Sequence, residues 1–210
     1  MHDARGRRLP VVGIMGSGTH DHGERAAPLG AWLAGQAVHL LTGGGGGVME
    51  AVSRSFCQTL PRRGLCIGIL PAAAPGAAAV RDARTSAPGP APPPPADPTM
   101  RRIDYPNAFV ELVIRTHLPY SGERGTDPLS RNHINVLSAD IIVAMPGSAG
   151  TASEVHLAAR YGRPLIAYLE HRGEIPGLPA ETPVTGELDA VKAFIRNHLA
   201  ALPGAGPPHH

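Results

Sequence analysis

Five consecutive glycines, Gly43 to Gly47, connect the short aliphatic run Val38 to Leu41 to a stretch of helical periodicity that begins at Val48. A second glycine-bearing turn, Pro146-Gly147-Ser148-Ala149-Gly150-Thr151, follows the run Ile141 to Met145 in the same way. Aliphatic strand, glycine turn and helix is the unit from which a parallel sheet is wound, because parallel strands need a crossover that a helix supplies. Glycine lets backbone approach a ligand closely, and the free amides at a helix start offer partial positive charge to an anion. Two such turns on one sheet predict that the amides of both grip the same phosphate-bearing small molecule.

The rest of the chain extends the alternation. Leu9 to Met15 reads as a first strand ending in the turn Gly16-Ser17-Gly18-Thr19, and a helix near Glu24 carries Leu29, Trp32, Leu33 and Ala37, with Pro28 in its first turn. Met49, Val52, Phe56 and Leu60 mark one face of a second helix, and Leu65 to Pro71 is a third strand. Phe109 to Leu118 is predicted as a fourth strand with Glu111 at an edge or rim, and Leu129 to Ser138 as a helix with Leu129, His133, Val136 and Leu137 on one side. The helix after the second glycine turn turns Val155, Ala158, Ala159 and Gly162 inward, Pro164 to Leu169 is a sixth strand, and Leu188, Val191, Ile195 and Leu199 stripe a closing helix. The expected fold is a Rossmann-like α/β three-layer sandwich with a mostly parallel sheet of six or seven strands, in one domain over 1–203. Within 72–99, Ala and Pro make up 18 of 28 residues without hydrophobic period, which predicts a flexible surface insertion, and 204–210 reads as a disordered tail.

Composition excludes several function classes. A net charge of +2 without basic runs interleaved with aromatics argues against nucleic acid, and no apolar stretch reaches the length of a membrane span, about 20 residues. Cys57 and Cys66 lie in apolar contexts and read as buried free thiols in a reducing, cytoplasmic setting. His20 and His22 flank Asp21, but no third ligand is placed by spacing, so no metal is expected; His117, His133 and His156 read as core-edge groups. No cofactor is expected to be required for folding.

Neither glycine turn contains the lysine of a phosphate-binding Walker loop. The first turn gives Gly16-Ser17-Gly18 without a third glycine, and no acid ends the second strand, so an ordinary dinucleotide site is also a poor match. The segments Thr42 to Met49 and Pro146 to Glu154 do resemble the Lonely Guy family of nucleoside 5′-monophosphate phosphoribohydrolases, with a Gly-Gly-Gly-x-x-Gly-Leu-Met turn and a Pro-Gly-Gly-x-Gly-Thr-x-x-Glu turn. Within that superfamily, Ile114 to Pro119 and Ser130 to Asp140 are more similar to the molybdenum cofactor carrier proteins. Thr42 stands in place of a glycine, Ser148 replaces the second glycine of the Pro-Gly-Gly turn, and the hydrolases' Arg-Lys pair is Arg131-Asn132 here.

The candidate ligand site therefore comprises Gly16, Ser17, Gly43, Gly44, Gly45, Gly46, Gly47, Met49, Pro146, Gly147, Ser148, Gly150 and Thr151, with Arg131 and Asn132 added by the resemblance. Arg115 could also line the crevice on the same ground. Glu154 has two readings. Thr151-Ala152-Ser153-Glu154 is a capping-box pattern, in which the glutamate returns a hydrogen bond to the helix start, whereas the resemblance makes Glu154 and Arg131 a catalytic pair for N-glycosidic cleavage. The resemblance further implies a bound molybdenum cofactor or nucleoside monophosphate and a homodimer or tetramer. On motif detail the expected role is that of a molybdenum cofactor carrier, with the phosphoribohydrolase as the alternative and a ligand sensor as a third class.

Overall fold

The computed structural model describes residues 8–72 and 105–202. Apart from Ala72, which is buried, the insertion expected at 72–99 lies outside those residues, as does the tail at 204–210. In chain order the elements are β1 Val11–Met15, α1 Gly23–Ala34, β2 His39–Thr42, α2 Val48–Gln58, β3 Cys66–Leu70 and β4 Leu112–Arg115. They continue with α3 Asn132–Ser138, β5 Ile141–Ala144, α4 Ala149–Arg160, β6 Leu165–Tyr168, β7 Val184–Thr185 and α5 Leu188–Ala201. The seven strands form one sheet in the order β4-β3-β2-β1-β5-β6-β7, and every pairing is parallel. This is the expected Rossmann-like α/β sandwich.

Two layers of core follow from the period-two alternation of side chains along each strand. Val12, Ile14, Leu40, Val143 and Tyr168 pack with Leu29, Phe56 and Ile195 under α1, α2 and α5. Leu41, Ile67, Ile142 and Ala167 pack with Val136, Val155 and Leu157 under α3 and α4. Helices α1 and α2 cross closely at Gly30, where an added Cβ would lie 2.6 Å from the Val52 carbonyl oxygen. No helix among the described residues is long and apolar enough to cross a membrane.

Several sequence expectations are corrected. Pro28 sits beyond the first turn, inside α1, because the helix starts at Gly23 behind a left-handed His22 with φ 43°. The fourth strand is cut to four residues at the sheet edge, where Leu112 and Ile114 are exposed rather than buried. The face of α3 that points inward carries Asn132, Asn135 and Val136, while Leu129, which precedes the helix, and Leu137 are exposed. In α4, Ala159 faces solvent and Leu157 is buried in its place, while Gly162 lies beyond the helix end with φ 60°. Both helices break the aliphatic pattern for one reason: their inner faces border a polar cavity as well as the core. The short β7 is absent from the sequence reading because two residues carry no period.

Two carboxylates pin the strand starts. Asp140 accepts the Val11 amide at 2.8 Å and both Arg8 guanidinium nitrogens at 2.8 and 2.9 Å, tying the entry of β5 to that of β1. Glu111, at the rim as expected, accepts the Cys66 amide at 2.9 Å and Arg62 Nη1 at 2.8 Å, tying β4 to β3. Burial pushes the Asp140 carboxyl up, but the Arg8 and Val11 hydrogen bonds outweigh it and hold the group below its ordinary value. The depressed folded-state value means that this stability is present above the ordinary carboxylate range and is lost as pH falls through the folded one. Asp140→Ala is expected to cost about 1–3 kcal/mol in denaturant unfolding at neutral pH, a loss that shrinks on acidification.

Candidate functional site

Strands β1 and β5 are neighbours in the sheet, yet the chain leaves β1 toward α1 on one face and β5 toward α4 on the other. That divergence opens a crevice at the strand C-terminal ends, the point where ligands settle in doubly wound sheets. The two exits are tied side by side, with Met145 N donating to Met15 O at 2.7 Å and Ser17 N to Pro146 O at 2.9 Å. Above them lies a cavity of about 250 Å³.

Of the candidate residues, Gly16, Ser17, Met49, Arg131, Asn132, Ser148, Gly150, Thr151 and Glu154 line this cavity together. Arg115 is exposed at the end of β4 and does not line it. Sequence reasoning missed Tyr105, Ser121 and Gly122 as walls, and it did not assign the neighbouring Gly18 and Thr19 to the site. Ser121 and Gly122 belong to a turn with no apolar period, and Tyr105 follows the Ala/Pro-rich segment, so no local pattern marks any of the three.

Gly43 to Gly47 stand behind the wall instead of forming it. A Cβ on Gly43 would overlap the Arg131 guanidinium, and one on Gly45 would lie 2.8 Å from the Tyr105 ring and 2.9 Å from Met49 Cε. Gly44, at φ +75°, packs against Leu70, and Gly47, at φ +61°, against the Ser17 and Gly18 backbone. The first glycine turn thus seats the protein's own side chains, and none of its five glycines lines this cavity. Pro146 and Gly147 also sit behind the wall, where Gly147 leaves room for the Thr151 side chain.

The second turn keeps its amides open. Ser148 is the N-cap of α4 and makes no side-chain cap, and no hydrogen bond within the described residues occupies the amides of Ser148, Ala149, Gly150 and Thr151. This places Thr151 three residues into the helix and removes the capping-box reading of Glu154. Its carboxyl is buried in the second turn of α4, where Oε1 accepts from Asn135 Nδ2 at 2.9 Å and lies 3.8 Å from Arg131 Nη1. Burial pushes the Glu154 carboxyl above its ordinary value, against the opposing pull of Arg131 and Asn135. Arg131 is only 5% exposed, and its Nε and Nη1 have no hydrogen-bond partner among the described residues. Its one ion-pair partner among those residues is the distant Glu154 carboxyl, and a buried guanidinium with two nitrogens short of hydrogen bonds is costly, so chemically this wall suits an acceptor group, above all an anion.

Elsewhere the histidines divide. His133 is half-buried between the Tyr161 hydroxyl at 2.6 Å and the Asp127 carbonyl at 3.0 Å, whereas His117 and His156 are exposed. The exposure of His117 and His156 corrects their core-edge expectation. Cys66 is a buried free thiol and Cys57 a half-buried one. No group of three or more His, Cys, Asp or Glu among the described residues is placed to hold a metal ion.

Comparison with known proteins agrees with this architecture. A family model described as the SLOG cluster4 family matches residues 9–184. An uncharacterised protein of Archaeoglobus fulgidus is 27% identical over 179 residues, covering 84% of this chain and 91% of that one. The molybdenum cofactor binding protein from the phototrophic bacterium Rippkaea orientalis has a similar structure, with a TM-score of 0.61 at 25% identity over 90% of this chain and 97% of that one. The Moco carrier protein from Chlamydomonas reinhardtii shares the fold, with a TM-score of 0.60 at 24% identity over 93% and 100% of the two chains.

The raised Glu154 value carries a prediction of definite sign. The favourable contribution of a group raised in the folded state is complete below its ordinary value, 4.5, and is lost as pH rises through the folded value. Glu154→Gln, which mimics the protonated form, is therefore expected to raise the thermal midpoint at neutral pH. The gain should close as the pH is taken below 4.5 in a series of thermal melts.

Proposed function

The chain belongs to the SLOG cluster4 family of the LOG-like superfamily, and from that membership we propose that its cavity holds a small phosphate-bearing ligand as a carrier site for the molybdenum cofactor. The observation that carries this reading is the buried Arg131 guanidinium, with two nitrogens lacking hydrogen-bond partners among the described residues, beside the open amides of α4. Arg131 supplies a planar fork of donors for phosphate oxygens, and the α4 amides add the positive end of a helix dipole. The hydroxyls of Ser17, Ser148 and Thr151 border the same space and can donate to the remaining oxygens. The donor set thus suits the phosphate and organic part of such a cargo, which would bring its own metal. The structural likeness to a molybdenum cofactor binding protein supports the choice of cargo.

A second reading is favoured by one observation. Glu154 is released from any capping duty and lies buried at the cavity with its carboxyl raised by burial. A carboxyl in that state beside a guanidinium suits proton transfer, or stabilisation of charge developing on a ribose, during cleavage of a nucleoside monophosphate into base and ribose 5-phosphate. The family resemblance also extends to a homodimer or tetramer, and the exposed Leu112, Ile114 and Leu137 offer apolar surface for it.

Three measurements test these readings. Protein purified from a cofactor-producing host should yield oxidised pterin fluorescence on denaturation, and Gly150→Asp should abolish it while still folding. A Cβ at Gly150 meets only the Gly122 backbone, at 3.5 Å from Cα and 3.9 Å from N, and an acid in the first turn of α4 favours the helix while repelling a phosphate. Absence of pterin from the wild-type protein would remove the carrier. Incubation with AMP, CMP, GMP and UMP should leave each intact if the site only carries; release of free base that is lost in Glu154→Gln would establish the hydrolase. Light scattering should give at least twice the chain mass of 21.8 kDa.

A further inference from the structure

Four of the six buried side-chain polar atoms that lack a partner among the described residues cluster at the start of α3: Arg131 Nε, Arg131 Nη1, Asn132 Oδ1 and Asn135 Oδ1. Folded chains rarely leave such atoms unpaired, and three of the four belong to residues that line the cavity, which points to a group the chain does not itself supply. The two Arg131 nitrogens are donors and suit an anion. Asn132 Oδ1 is an acceptor, which a phosphate oxygen would repel.

The orientation of the Asn132 amide follows from its neighbours. Ser153 Oγ has a single proton, which it donates to the Gly150 carbonyl at 2.7 Å, with the Gly122 carbonyl a more distant acceptor at 3.5 Å. Its contact with Asn132 at 2.9 Å must therefore use a serine lone pair, and only the Nδ2 end of the amide can donate to it. Nδ2 is further packed beneath Gly125, where a Cβ would lie 2.5 Å away. Asn132 is 1% exposed and lines the cavity, whereas Ser153 and Gly125, against which Nδ2 is held, do not line it, so the carbonyl is the end of the amide left for the cavity.

We infer that Asn132 is a specificity-determining residue of this site: its Oδ1 accepts an O–H or N–H that the ligand carries close to its phosphate. The inference rests on the phosphate-bearing reading above and narrows it to ligands with a donor beside the anionic group, either a sugar hydroxyl or a heterocyclic ring N–H. Ser153 acts through Asn132 as a positioning residue, holding the amide so that it cannot offer Nδ2 instead. A ligand that lacks the donor leaves the acceptor buried and unpaired, which is where the discrimination arises.

Calorimetric titration of the full chain tests this with three phosphate monoesters: ribose 5-phosphate, the phosphate ester of 6-hydroxymethylpterin, and butyl phosphate, which has no donor outside the phosphate. At least one donor-bearing ester is expected to bind about tenfold tighter than butyl phosphate, and which of the two holds the advantage identifies the donor. In Asn132→Leu that ratio should fall to about one while the thermal midpoint is kept, and Ser153→Ala should lower the same ratio by freeing the amide to turn. A wild-type protein that binds all three esters equally, or a preference that survives both substitutions, overturns the inference and leaves the anion site standing. Failure of every ester to bind overturns the anion site and the inference with it.

Discussion

A guanidinium held almost out of water without enough hydrogen-bond partners is the constraint around which this site is arranged. Arg131 leads into α3, and its side chain fits only because residue 43 has no Cβ where the guanidinium lies. Burying a charge is unfavourable unless it is paired, and the nearest carboxylate oxygen, on Glu154, stands 3.8 Å away from a carboxyl that burial itself drives toward neutrality. The Arg131 charge is thus only loosely compensated within the protein, and the open end of α4 adds the positive end of a helix dipole beside it. A run of five glycines makes sense as the seat of these side chains, at some cost in backbone entropy.

The topology explains why the cavity lies where it does. In the order β4-β3-β2-β1-β5-β6-β7, the crossovers from β1 and from β5 part to opposite faces. Loops leaving adjacent strands in opposite directions cannot close over the strand ends, so a crevice is a geometric necessity there. Helix α4 starts on one side of it, the Gly16 to Thr19 turn borders the other, and α3 brings Arg131 and Asn132 across the top. Helices α3 and α4 also pack on the aliphatic core through Val136, Val155 and Leu157, which keeps their polar groups in place. The same arrangement makes the inner faces of α3 and α4 part polar, with Asn132, Asn135, Ser153 and Glu154 all buried.

Those two helices are also where periodicity misled. An apolar stripe predicts the inward face of a helix when the neighbour is only core, and it did so for α5, where Val191 and Ile195 are buried. Leu137 lies on the exposed side of α3 because the cavity demands asparagines on the inner side. The capping-box pattern at Thr151 to Glu154 is another such case, since the helix begins at Ala149 and the pattern falls inside it. Seven of the strand and helix units were nonetheless readable in outline from aliphatic runs and glycine punctuation, because β1, β2, β3, β5 and β6 are buried on both faces and α2 and α5 have a clean stripe.

The amino-acid order by itself determined the layered α/β class, the parallel sheet and the two glycine turns, since these depend on short-range spacing and on residues with unusual backbone freedom. It also marked Ser148, Gly150 and Thr151 as wall residues because they sit in the second of those turns, and Ser17 because it sits in the turn that ends the first strand. Only the tertiary structure decided that the second turn lines the cavity while the first seats Arg131 and Tyr105, that Glu154 is buried without capping anything, and that Ser153 locks the Asn132 amide. These are relations between groups 20 or more positions apart in the chain, as with Asn132 and Ser153 at a separation of 21. Local spacing has no access to such distances, and the direction of a buried hydrogen bond exists only once both of its partners are in place.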